Sequence, residues 1–104
     1  MSIERVRVNI SGTSPVTIGG TPGSENRKRL LAAHLTCAAD TTVEFYSRGS
    51  GDTLLYDFQM KTIATGEGTL PHNARGWVET EAGEAFGIDP GGAAVKGVVV
   101  LETQ

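Results

Sequence analysis

The sequence predicts an all-β protein of eight or nine short strands, and two observations carry that expectation. Nine Val, five Ile and twelve Thr make 26 of the 104 residues β-branched. Such side chains are stiff at χ1 and fit a pleated surface better than a helix. Fourteen Gly and four Pro are spread between short apolar runs, the spacing expected of a sandwich or a barrel. The length is one domain's worth, so residues 1–104 are read as a single unit. A chain of this size buries enough surface to fold without a metal or a disulfide.

Charge and composition narrow the function classes. Nine basic against twelve acidic residues give −3, which argues against a nucleic-acid partner. No run of 18 apolar residues is present, so no membrane span is expected. The start, Met1-Ser2-Ile3-Glu4-Arg5, lacks the apolar stretch of a signal peptide, and Asn9-Ile10-Ser11 then carries no glycosylation meaning. The single cysteine, Cys37, rules out an internal disulfide and fits synthesis in a reducing compartment.

The strands follow from local pattern. Val6, Val8 and Ile10 alternate with Arg5, Arg7 and Asn9, the period of a half-buried strand. Residues 15–18 form a second, short strand whose leading proline is tolerated at its start. Residues 27–39 are ambiguous. Leu30, Leu31, Ala32, Ala33 and Leu35 favour a helix, while Leu31, Ala33, Leu35 and Cys37 also make one strand face. Val43 and Phe45 alternate with Glu44 and Tyr46, and residues 53–62 return after a turn at 48–52, which reads as a hairpin. Gly66 and Gly68 bracket a turn, and residues 71–76 make a tight loop. Short strands are expected over 76–80 and 83–88. Asp89-Pro90-Gly91-Gly92 is the strongest turn signal. Val98-Val99-Val100-Leu101 is apolar on both faces, so the strand over 95–103 belongs mid-sheet or at a subunit contact.

Chemistry-bearing motifs are sparse. Gly66-Glu67-Gly68-Thr69-Leu70-Pro71 lacks the third glycine and the helix of a dinucleotide fingerprint. His34 and Cys37 point to opposite faces of a strand and do not make a zinc site; a buried cysteine and a partly buried histidine are expected. Glu79 and Glu81 share a face, with Glu84 and Asp89 nearby, but paired carboxylates of a glycosidase need a substrate groove that no aromatic pattern suggests. Tyr46, Tyr56 and Trp77 are the large amphipathic aromatics. Trp77 is expected in the core with Phe45, Phe86 and Val99. Residues 1–62 carry a net +1 and residues 63–104 a net −4. The basic cluster Arg27, Lys28 and Arg29 is therefore a candidate for charge contacts with Glu79 and Glu81 of a neighbouring copy. No catalytic residue, cofactor or metal is expected.

The stretch Leu70-Pro71-His72-Asn73-Ala74-Arg75-Gly76-Trp77-Val78-Glu79-Thr80-Glu81-Ala82-Gly83-Glu84-Ala85-Phe86-Gly87-Ile88 resembles a recurring segment of small virion structural proteins of tailed bacteriophages. Val95-Lys96-Gly97-Val98-Val99-Val100 resembles their closing strand. Arg27-Lys28-Arg29-Leu30-Leu31, followed by Thr42-Val43-Glu44-Phe45, resembles their basic-led strand and hairpin. The match covers about residues 20–103 and tips residues 27–39 toward strand. It implies an antiparallel, jelly-roll-like β-sandwich that decorates or cements a capsid, made in the host bacterial cytoplasm and carried in the virion. The implied partners are the major capsid protein, or neighbouring virion proteins, and further copies of the chain, with a trimer expected first. The alternative is a glycan- or receptor-binding module of a phage tail. Residues 1–18 fall outside the match and are an added strand or an arm.

Overall fold

A computed structural model describes residues 2–62 and 68–104. They form nine strands: β1 (Ser2–Ile10), β2 (Val16–Ile18), β3 (Lys28–Cys37), β4 (Thr41–Arg48), β5 (Thr53–Met60), β6 (Thr69–Leu70), β7 (Val78–Glu79), β8 (Ala85–Asp89) and β9 (Val95–Thr103). No helix is present among the described residues. The expected turn at Gly66 lies outside them.

The strands build two antiparallel sheets. One runs β1-β9-β3-β6, with β7 also paired to β3; the other runs β2-β8-β4-β5. Residues 1–18 are not a free arm, because β1 pairs with β9 along Ser2↔Thr103 to Ile10↔Val95. The ambiguous segment is strand β3, and its tertiary setting explains why helix propensity lost. Leu30, Ala33 and Leu35 enter the core, and β9 and the short β6 and β7 take up hydrogen bonds along it. A register shift between Leu30 and Ala32 lets Leu31 be buried as well, outside the main core cluster. The β4–β5 hairpin forms as expected, with its own register shift between Phe45 and Tyr46.

Between the sheets lies one apolar core. Val8, Leu30, Val43, Phe45, Phe86, Ile88, Val95, Val99 and Leu101 are essentially sealed from solvent. Phe45 is its hub. Its ring packs edge-on to Phe58 at 5.3 Å and tilted against Phe86 at 5.2 Å, geometries that suit the ring quadrupole. β9 lies mid-sheet between β1 and β3, one of the two positions expected for it, although its outer face is open, with Val98 38% exposed.

Close approach to backbone requires glycine at Gly97 and Gly91, among others. Gly97 in β9 has φ +147°, and a Cβ there would overlap the His34 carbonyl oxygen of the neighbouring β3. Gly91 has φ +71° and would overlap the Thr42 carbonyl oxygen. At both positions an L side chain meets backbone, which does not yield. Gly97→Ala is expected to lower stability by about 1–3 kcal/mol, measured by denaturant unfolding. A melt unchanged from the parent protein would contradict the tight β3–β9 approach.

Candidate functional site

The three basic residues that open β3 diverge because a strand alternates. Lys28 turns inward and is 6% exposed. Its Nζ lies 2.7 Å from Glu4 Oε1 of β1, reaching diagonally across β9. Thr80 fixes the Lys28 backbone twice: its Oγ1 accepts the Lys28 amide at 2.9 Å, and its own amide donates to the Lys28 carbonyl at 2.9 Å.

Arg29 turns outward between two carboxylates brought beside it by register, since Arg29 pairs with Glu79 of β7 and with Glu102 of β9. Its guanidinium lies 3.2 Å from Glu79 Oε2 and 3.7 Å from Glu102 Oε1, and donates to Gln104 Oε1 at 2.9 Å. Arg29 Nε is buried with no hydrogen-bond acceptor among the described residues. Arg27 adds a looser contact of 3.7 Å to Glu79.

These ion pairs form inside one chain, between residues that the charge pattern also offers for contacts with a neighbouring copy. Arg27, Lys28, Arg29 and Glu79 are engaged within one chain. The sequence separations, such as 50 residues from Arg29 to Glu79, hid this, because only strand register brings the partners together. Glu81 is exposed and forms no ion pair among the described residues; its amide donates to Ser47 Oγ at 3.0 Å. Ser47 in turn donates to Glu84 Oε1 at 2.7 Å.

Trp77 is not in the core expected for it. Phe45, Phe86 and Val99 are fully enclosed, but Trp77 is 43% exposed. It sits just before the two-residue edge strand β7, so its ring lies at the margin of the sandwich. The Trp77 amide donates to the Leu30 carbonyl at 2.7 Å, and Nε1 donates to the Pro71 carbonyl at 2.8 Å. With Phe45, Tyr56, Leu70 and Val78 the ring lines an apolar cleft of about 140 Å³ between the β5 edge and β6–β7. Tyr56 stacks on Phe58 with centroids 5.7 Å apart.

The remaining candidates stay apart. His34 is exposed, not partly buried, with Nδ1 3.2 Å from Thr69 Oγ1, whereas Cys37 is partly rather than fully buried and packs against the core. Burial, and then the Asp40 charge, push the Cys37 thiol above its ordinary value, which disfavours the thiolate a nucleophile needs. Among the described residues no three His, Cys, Asp or Glu side chains converge on a metal position. A comparison with protein-family models, with curated proteins and with solved structures finds no match to this chain.

On the outer face of the β2-β8-β4-β5 sheet, Glu44 stands opposite both Asp57 and Asp89, an acidic row across three strands. Tyr46 donates to Glu44 Oε1 at 3.1 Å. Desolvation, followed by that hydrogen bond and the nearby Glu44, Asp89 and Asp52 charges, raises the Tyr46 phenol.

Three outcomes follow. Arg29→Ala leaves the buried Glu102 carboxylate, 7% exposed, without its cation and is expected to destabilise by about 1.5–3 kcal/mol, the range for hydrogen bonds to charged groups; Arg27→Ala, more exposed, should cost about 0–1 kcal/mol. Equal losses in thermal unfolding would refute the ranking. Trp77→Ala should cost about 1–2 kcal/mol, below the roughly 3–5 kcal/mol of a fully enclosed aromatic. The Tyr46 phenolate should appear only above the ordinary value of about 10 in an ultraviolet titration, and Tyr46→Phe should remove that step. Because the folded value is raised, this contribution to stability is complete below the unfolded value and fades as pH rises through the folded one.

Proposed function

We propose that this chain is a structural protein of a tailed-bacteriophage virion, a non-enzymatic capsid decoration or cement protein that bridges capsid subunits. One observation carries the reading. β6 and β7 both pair antiparallel with β3, so they count as one interrupted strand. The sheets then run 1-8-3-6 and 2-7-4-5. This order supports reading the two sheets as a jelly roll of two Greek keys, an architecture used by viral capsid proteins and lectins. A fold alone assigns no role. The resemblance of residues 20–103 to phage virion proteins supplies the direction.

The mechanism of such a protein is physical. A protein that binds only the assembled capsid stabilises that state by mass action, and several weak attachments of one oligomer add up through effective concentration. Self-association, with a trimer as first choice, belongs to the same reading. The major capsid protein is the partner, the host cytoplasm the place of synthesis and the virion the destination.

A glycan- or receptor-binding module of the tail is the second reading. Trp77 and Tyr56, 43% and 46% exposed, flank a cleft where a sugar ring could stack. Against it, the cleft lining of Phe45, Tyr56, Leu70, Trp77 and Val78 carries no amide or carboxylate side chain to hold sugar hydroxyls. Immunogold labelling of intact particles separates the two. Gold on heads is expected; gold on tail tips favours the second reading, and unlabelled particles overturn both.

A further inference from the structure

The two sheets leave two long edges without a strand partner among the described residues. They are β1, nine residues, and β5, eight residues. They end different sheets at opposite margins of the sandwich. A free edge presents a row of unpaired N–H and C=O groups, a template for another strand. Neither lysine nor proline, the usual blockers, occurs in Thr53–Met60.

The edges also concentrate the apolar side chains the fold leaves outside. Of the five large exposed hydrophobics among the described residues, Ile3 at 61% lies on β1, and Leu54 and Tyr56, both at 46%, lie on β5. Their charges are opposite. Val6, Val8 and Ile10 face the core, so Arg5 and Arg7 project from the outer face of β1. Both are exposed and form no ion pair among the described residues. The one acid of β1, Glu4, is turned inward to Lys28. On β5 the charge is Asp57, exposed and likewise without an ion pair among the described residues, with Glu44 opposite it on β4.

We infer that the β1 edge of one copy adds to the β5 edge of the next, joining the larger sheet of one molecule to the smaller sheet of its neighbour. The contact sets Arg5 and Arg7 against Asp57 and Glu44. Ile3, Leu54 and Tyr56 are covered on the same two strands. Because the two surfaces differ, the contact is head-to-tail and closes into a ring or grows into a filament. The inference deepens the self-association part of the proposed function; it does not depend on the capsid.

Sedimentation of the full chain at micromolar concentration and low salt tests it. The wild type should sediment well above 10.9 kDa and dissociate as salt rises. Reversing either edge, R5E/R7E or D57K, should weaken association roughly a hundredfold or more, since juxtaposed like charges oppose binding strongly. Combining R5E, R7E and D57K in one chain should restore it. The neutral variants R5Q/R7Q and D57N, with circular dichroism on each, guard against misfolding and should weaken association less. A monomeric wild type overturns the inference. So does R5E/R7E assembling like wild type, as an interface between two β5 edges would allow, or a folded triple variant that stays monomeric. Failure of the capsid reading appears only on particles and leaves these masses unchanged.

Discussion

The larger sheet hangs on β9, which lies between β1 and β3 with nine residue pairs on each side. β1 and β3 have no pairing with one another. Val95, Val99 and Leu101 put the inner face of β9 at the centre of the core with no exposure, each worth about 1.5–3 kcal/mol of burial. β1 pairs with β9 from Ser2↔Thr103 to Ile10↔Val95, so β1 gains a sheet partner only through a long-range closure. Such non-local pairing is slow to form, because loop entropy is lost before contacts compensate.

The same strand dictates the electrostatics. Glu102 at its end brings a carboxylate to Arg29, and its width sets the diagonal that Lys28 crosses to reach Glu4. Glu4, Lys28, Arg29, Glu79 and Glu102 are thereby paired within the fold. Arg5 and Arg7 on the outer face of β1 and Asp57 on β5 form no ion pair among the described residues, which leaves a basic edge at β1 and an acidic one at β5.

Much of this was legible in local pattern. Alternation in residues 3–10, the β4–β5 hairpin and the double-sided apolarity of 98–101 mark elements whose partners or surroundings are implied by spacing two. Three features were not. Trp77 follows Gly76 in an apolar stretch, and nothing local says that β7 is only two residues long and marginal. Arg29 meets Glu79 and Glu102 only through register across three strands. The cleft beside Tyr56 arises from two sheet margins meeting, which no single segment encodes.

Amide hydrogen exchange resolved by residue tests the role of β9 most directly. Core strands that open only with the whole molecule exchange at the global unfolding free energy. The β9 amides and their hydrogen-bonded partners in β1 and β3 should share that single value, level with β4 and β8. Exchange of β9 and β1 through a lower-energy opening, with β4 and β8 still protected, would contradict it.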